Sequence, residues 1–271
     1  MNRSIVLSAA FVLTTIAFAQ AQKPGDADYP TPAPSARHQQ KLAAVRAGAY
    51  DLVLVGDSIT HTLQDFGGKY QPLTAVWNKH FAPRHAINLG HNGYRTEQIL
   101  WNLESGELDF KTPPKVVMLL IGTNNTDDRH FKTVHTAEQV LAGTKAIVDL
   151  IRRRLPETKI LILRIFPRGD DSQKGISPPA FNSSRTCIET CLRAGEMTSK
   201  LADGQQVFWL DINHVFLRPD GAINTELLWD LLHPSPAGAE AWAQTVEPTL
   251  AKLMGDTPIV DPQPNGTGKD R

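Results

Sequence analysis

A serine hydroxyl becomes a nucleophile only when a base takes its proton and hydrogen-bond donors receive the oxyanion that its attack creates. In VLVGDSITHTL, Val53 to Leu63, the pattern of a buried strand breaks at Gly56 and that of a helix begins after Asp57, which puts Ser58 at the end of a core strand. The plain reading of Ser58 is a helix cap, so its chemistry depends on partners elsewhere in the chain. Among nine histidines, His233 stands out, because Asp230 precedes it by three positions in WDLLHPSPAGAEAW. On a tight turn ahead of a helix, that spacing lets the carboxylate reach Nδ1 and leaves Nε2 for the serine. This is the division of labour in a serine–histidine–acid triad. Alone, a D-x-x-H pair often arises by chance. Asp57 is expected to do something different, holding its own turn by hydrogen bonding.

Two glycine-containing turns add donors. INLGHNGYRTEQIL brings the Gly93 backbone N–H to the start of a helix, and LLIGTNNTDD places the Asn124 amide at the end of an apolar run. Together with the Ser58 N–H they would make a three-donor oxyanion hole. Gly93 could be only a turn and Asn124 only a loop residue; their conjunction with Ser58 at one edge of a sheet is much less easily explained that way.

The elements that must position these groups follow from hydrophobic periodicity. Strand patterns cover Asp51–Val55, His85–Leu89, Lys115–Ile121, Lys159–Ile165 and Gln206–Ile212. Helical patterns cover Ala36–Ala47, Thr96–Glu104, Ala137–Arg154, Pro179–Ala202 and Pro236–Met254. Continuous apolar strands separated by helices imply an α/β fold whose parallel sheet is covered on both faces. Such sheets bind ligands beyond the carboxyl ends of their strands, at the point where strand order reverses. The turns at Gly56–Ser58, Gly90–Gly93 and Gly122–Asn124 follow the first three strands to that edge.

The chain has 271 residues, 41% hydrophobic and 21% charged, with 28 basic and 28 acidic side chains and no net charge. Nothing in that balance builds a basic field for nucleic acid or an anionic membrane, and a small neutral ester substrate is compatible with it. Residues 1–21 carry one Arg3, an apolar run from Ile5 to Ala17 and small residues at Ala17, Ala19 and Ala21, the pattern of a secretory signal peptide. The run is short for a bilayer span, so a periplasmic or secreted protein without stable membrane insertion is expected. Residues 22–34 are Pro-rich and read as a linker, residues 35–254 as one catalytic domain, and residues 255–271 as a disordered tail. Cys187 and Cys191 lie four apart in a helical pattern, where a disulfide would be strained. They read as two small, half-buried helix residues. No metal site and no cofactor is expected.

The blocks GDSI (Gly56–Ile59), NLGHNG (Asn88–Gly93), GTNN (Gly122–Asn125) and DLLH (Asp230–His233) resemble, in order, those of the GDSL or SGNH hydrolases. LWNLESGELD, IFPRG and PDGAI are similar to the branch that contains the α subunits of platelet-activating factor acetylhydrolase. The resemblance runs from about Asp51 to about Leu253. It implies a flavodoxin-like three-layer α/β/α sandwich with a five-stranded parallel sheet. It also implies a serine esterase with Ser58 as nucleophile, His233 as base, Asp230 as acid and Gly93 and Asn124 as oxyanion donors. Asn92 and Tyr94 depart from that branch on either side of Gly93. Because the related α subunits pair, a homodimer is one expected assembly. The expected reaction is hydrolysis of short-acyl, chiefly acetyl, esters of carbohydrates or other small neutral molecules. The alternatives are a phospholipid acetylhydrolase or lipase-like esterase, and a non-catalytic glycan-binding relative. No G-x-S-x-G elbow of an α/β-hydrolase and no phosphate-binding G-x-x-x-x-G-K-[ST] motif is present.

Overall fold

Strands that are apolar at every position have nowhere to go but the middle of a layered structure. The computed structural model describes residues 22–64, 73–170 and 183–259. In it, β1 (Leu52–Gly56), β2 (Ala86–Gly90), β3 (Val116–Leu120), β4 (Lys159–Leu163) and β5 (Val207–Leu210) form one sheet in the order β2-β1-β3-β4-β5. Every pairing is parallel. The chain steps from β1 to one side and then crosses to the other, so the order reverses between β1 and β3, and a crevice opens there at the carboxyl edge.

Side chains alternate across the pleat, and the two sets enter two cores. Leu52, Leu54, Met118, Leu120, Leu161 and Leu163 join Trp77, Phe81, Phe166 and Trp242 on one face. Val53, Val55, Ile87, Leu89, Val117, Leu119, Ile160 and Ile162 join Val45, Ile99, Leu103, Ile147 and Ile151 on the other. The first core is closed by α3 (Thr74–Val76) and α7 (Pro236–Met254), the second by α1 (Ala36–Ala47), α4 (Thr96–Asn102) and α5 (Ala137–Arg154). The expected three-layer α/β/α sandwich is therefore present. Trp77 and Trp242 are core residues, while Trp101, Trp209 and Trp229 are half-buried.

Helix boundaries follow local chemistry. α5 opens on a capping box in which Thr136 and Gln139 exchange side-chain and backbone bonds, and α7 opens on Ser235 with Pro236 in its first turn. α6 spans Arg185–Met197, shorter than the Pro179–Ala202 pattern. Ser184 caps it by accepting from the Cys187 N–H, the chain tightens into a 3₁₀ turn at Thr198–Leu201, and residues 179–182 lie outside the described residues. Cys187 and Cys191 are free thiols buried on the inner side of α6 rather than half-buried. Burial raises both of their pKa values, that of Cys191 to about 11.

Residues 1–21, expected to be a signal peptide, and residues 260–271 of the expected tail lie outside the described residues. Residues 22–34 lie along α4 and α5. Ala27 is buried, its carbonyl accepts from Thr96 Oγ1 at 2.8 Å, and the Thr31 N–H donates to the Glu97 carbonyl at 3.0 Å. Pro-rich composition reveals the lack of periodicity in this segment but not that its carbonyls meet partners on a helix. Gly143 of α5 makes the approach possible, because a Cβ there would lie 2.5 Å from the Ala27 carbonyl oxygen and 2.4 Å from Thr96 Oγ1.

Mid-helix Gly→Ala substitution ordinarily gains about 1 kcal/mol, but overpacking against backbone costs about 1–3 kcal/mol. Gly143→Ala should therefore destabilise the protein by up to about 2 kcal/mol, since the added Cβ meets backbone that cannot give way. A urea midpoint unchanged or raised in the variant would show that residues 22–34 do not pack in solution as they do here.

Candidate active site

The turn after β1 is built around a carboxylate. Asp57 caps α2 (Ser58–His61), its Oδ1 accepting from the Ile59 N–H at 3.0 Å. This is the turn-holding bond expected of it, and it leaves Ser58 as the first residue of the helix. Gly90, at the end of β2, allows α2 to settle on the sheet, since a Cβ there would lie 2.4 Å from the His61 nitrogen.

Ser58, His233 and Asp230 come together across the chain. Ser58 Oγ lies 2.9 Å from His233 Nε2, and His233 Nδ1 lies 2.8 Å from Asp230 Oδ2. All three are at least nine-tenths buried. A carboxylate only accepts, so Nδ1 carries the proton toward Asp230 and Nε2 is left to accept from the serine hydroxyl. The other oxygen of Asp230 accepts from the backbone N–H groups of Leu232 at 3.1 Å and His233 at 2.7 Å. That geometry needs Leu231 in the left-handed region, at φ 67°, where a residue with a Cβ is strained by about 1–3 kcal/mol. The fully buried Leu231 side chain and a hydrogen bond from the Gly169 N–H to its carbonyl, at 3.0 Å, hold it there. The D-x-x-H spacing gave no sign of this strain.

Gly93 and Asn124 sit on neighbouring turns at the same edge. The turn after β2 starts where the His91 N–H donates to the Gly56 carbonyl at 2.9 Å, two residues before Ser58. Gly93 has φ 73° with open space where a Cβ would be, so glycine is needed for its left-handed backbone rather than for a close approach. The turn after β3 begins at Gly122, also at positive φ, and carries Asn124. Asn124 Nδ2 donates to the Tyr94 carbonyl at 2.8 Å, which joins the two turns and uses one of the two N–H donors of the amide. The Ser58 and Gly93 N–H groups donate to no other described residue.

The two departures beside Gly93 both contribute to the turn. The Asn92 N–H donates to His61 Nδ1 at 3.2 Å, and the Tyr94 hydroxyl donates to the Ala33 carbonyl at 2.8 Å.

The sequence offers Phe166–Gly169, after the fourth strand, as a segment that shapes the acyl pocket or as a plain loop, and the role of Arg168 within it was not legible. Although it lies in IFPRG, the fixed run carries no sign of the partner it would find. The guanidinium is buried, donates to the Thr123 carbonyl at 2.9 Å and to Ser183 Oγ at 2.7 Å, and pairs with Asp127 at 3.1 Å. It thereby ties the segment after β4 to the turn of Asn124. Burial alone would raise the Asp127 pKa, but Arg168 and hydrogen bonds from Arg129 and His130 hold it below the usual carboxylate range.

Among the described residues, no group of three or more His, Cys, Asp or Glu side chains is arranged to hold a metal ion, and no helix is long and apolar enough to cross a membrane.

Comparison with known proteins bears on the whole domain. The model of the GDSL-like lipase/acylhydrolase family matches residues 54–241. Platelet-activating factor acetylhydrolase IB subunit alpha1 of Pongo abelii is 30% identical over 232 residues, 84% of this chain and 89% of its own. Subunit alpha2 of Rattus norvegicus is 32% identical over 208 residues, covering 77% and 79% of the two chains. In fold, the chain resembles an acetylxylan esterase from Geobacillus stearothermophilus with a TM-score of 0.54 at 18% identity, over 81% of this chain and 99% of that one. With the family model matching residues 54–241 and relatives 30–32% identical over most of both chains, the chain belongs to the GDSL-like lipase/acylhydrolase family and is a carboxylic ester hydrolase.

Proposed function

We propose that the protein hydrolyses short-acyl esters, above all acetyl esters, through an acyl-Ser58 intermediate, on exported carbohydrates or other small neutral molecules. The hydrogen-bonded chain Ser58–His233–Asp230 at the carboxyl edge of the sheet carries the reading.

In the first step His233 Nε2 takes the Ser58 proton as Oγ attacks the ester carbonyl. The oxyanion is received by the Ser58 and Gly93 N–H groups and the remaining Asn124 N–H. Asp230 stabilises the imidazolium without taking its proton. His233 then protonates the leaving alcohol, and the acyl group stays on Ser58. Water, deprotonated by the same imidazole, attacks the acyl-serine, and Ser58 leaves with its proton restored. Donors placed for the charged transition state lower its energy more than that of bound substrate, so they act on kcat.

The preference for short acyl groups is supported by the sparse exposed apolar surface of the described residues. Among the described residues only Val134, Leu192 and Leu217 are large, hydrophobic and exposed. The segment Thr126–Thr136 has just two bulky apolar side chains, Phe131 and Val134, and Phe131 lies under the Arg95 guanidinium at 5.3 Å. A long acyl chain needs an apolar groove that contributes about 0.8 kcal/mol per buried CH₂. The similar proteins named for acetyl groups point the same way. One group acts on platelet-activating factor by name and the other on acetylxylan. Export, read from residues 1–21, favours the carbohydrate side. The lipid side is the second reading, favoured by the higher identity to the acetylhydrolase subunits.

Ser58→Ala should abolish both ester turnover and labelling by a fluorophosphonate while leaving the fold intact. Full turnover in that variant would end the acyl-serine reading. Across acetyl, butyryl and octanoyl esters of one alcohol, kcat/KM should fall with chain length. A rise toward octanoyl would overturn the short-acyl assignment, and activity on acetylated phospholipid with none on acetylated glycans would move the substrate to the lipid side.

Asp57 is the second carboxyl near His233, and its assigned work is structural. Burial pushes its pKa up to about 6, against the opposing pull of the Ile59 N–H, His233 and Arg168. A carboxyl that binds its proton more tightly when folded favours the native state at low pH, and this contribution is lost as pH rises through about 6. Asp57→Asn keeps an acceptor for the Ile59 N–H and cannot ionise. Its stability relative to the wild type should climb between about pH 4 and pH 6, by a few kcal/mol at most, and level off above. A difference in urea-derived stability that is flat across that range would show that Asp57 titrates normally.

A further inference from the structure

Outside the proposed triad, a buried carboxylate bonds His91 in the turn that carries Gly93. Glu107 is 1% exposed and accepts from two imidazoles: His38 Nδ1 lies 2.8 Å from its Oε1, and His91 Nε2 lies 3.0 Å from the same oxygen and 3.3 Å from Oε2. Both histidines are buried as well. We propose that Glu107 is a positioning residue of the reaction: through His91, it fixes the turn that aims the Gly93 N–H at the carbonyl oxygen under attack. The inference rests on the reading of Gly93 as an oxyanion donor.

The turn offers few other handles. Gly93 has no side chain and Asn92 is exposed, so its conformation depends on backbone bonds and on His91 and Tyr94. His91 is the hinge of that set. Its N–H donates to the Gly56 carbonyl and its carbonyl accepts from the Tyr94 N–H at 3.2 Å. Its ring stacks on Tyr94 with centroids 4.9 Å apart and planes at 23°. The Tyr94 carbonyl in turn receives the Asn124 amide. A rotation of the His91 ring would therefore disturb the stacked Tyr94 and, through it, both side-chain and backbone donors at the sheet edge.

Glu107 is itself well fixed. It follows Gly106, whose φ of 115° breaks the helical path after α4, and His38 holds it from the side of α1. His38 packs on Trp101 with centroids 5.1 Å apart. A carboxylate accepts at both oxygens, so both imidazoles can donate to it at once. A glutamine whose carbonyl takes the place of Oε1 can still accept from both imidazoles, but it loses the Oε2 contact with His91 and the charge that strengthens both bonds. A leucine satisfies neither and leaves two buried N–H groups without acceptors.

The test compares Glu107→Gln and Glu107→Leu with the wild type, using kcat per active site, the sites being counted by fluorophosphonate titration. Misplacing one oxyanion donor without removing it should lower kcat by about 3–10-fold in the glutamine variant and about 10–100-fold in the leucine variant, with KM within about twofold. The fluorophosphonate labelling rate should fall in parallel. Glu247→Gln is the control, because it breaks a buried pair with Arg84 ahead of β2, at the opposite end of the sheet. It should lower Tm and leave kcat per site unchanged. If Glu107→Leu does not fold, the isosteric glutamine variant decides. Glu107 variants that lose Tm but keep wild-type kcat per titrated site would make the residue merely structural and overturn the inference alone. A wild type that neither labels nor turns over would overturn the Ser58 reading and this inference with it.

Discussion

The register of the parallel sheet is the constraint on which the site depends. Gly56 pairs with Gly90 on one side and with Leu120 on the other, so β1, β2 and β3 end level. A slip of one residue would send Leu54 into the wrong core and Val53 into the other, and the two cores together forbid it. The turns that follow inherit that precision through short bonds between them: His91 to the Gly56 carbonyl, and Asn124 to the Tyr94 carbonyl. Three donors that are far apart in sequence are thus placed by the same packing that folds the protein.

The pair proposed as acid and base has a different origin. Asp230 and His233 come from a turn outside the sheet, closed by a bridge between Leu228 and Pro234 and followed directly by α7. The turn reaches Ser58 because Leu231 accepts a strained backbone in exchange for a buried side chain, and because Gly169 holds its carbonyl. Arg168, the neighbour of Gly169, bonds the turn of Asn124. Residues 168 and 169 therefore connect the turn of Asn124 to the turn of Asp230 and His233, and these two residues act as a strut between them.

Much of this was legible in the sequence because the relevant signals are local. Five strand patterns and the helices of Ala36–Ala47, Ala137–Arg154 and Pro236–Met254 are written in apolar periodicity and in caps such as Thr136 and Ser235. Ser58, Gly93, Asn124, Asp230 and His233 stand in short blocks, and in two of these Gly93 and Gly122 mark left-handed backbone. What escaped depends on partners distant in sequence. Arg168 and Asp127 are 41 residues apart, and nothing near either one announces the pair. Residues 22–34 showed Pro-rich composition, but their carbonyl partners on α4 and α5 could not be read from it. Leu231 has positive φ without being glycine, so composition hides the one place where the acid–base turn is strained.

The distribution of buried charge shows what the carboxyl edge is built for. Six carboxylates are buried among the described residues: Asp57, Glu97, Glu107, Asp127, Asp230 and Glu247. All but Glu247 belong to, or bond to, the turns after the strands or the turn of His233. Burying a charge costs several kcal/mol even when it is paired, and apolar replacements of such pairs are often more stable. Stability alone would not gather five of them at one edge. Charges fixed by partners do provide dipoles and hydrogen bonds that need not reorganise when an oxyanion and an imidazolium form, as the proposed reaction requires. Water would solvate the same charges at least as well, but it would have to reorient as they appear. The edge is thus specified by groups that weaken the fold locally, and the two apolar cores beneath it are what allow it to hold its shape.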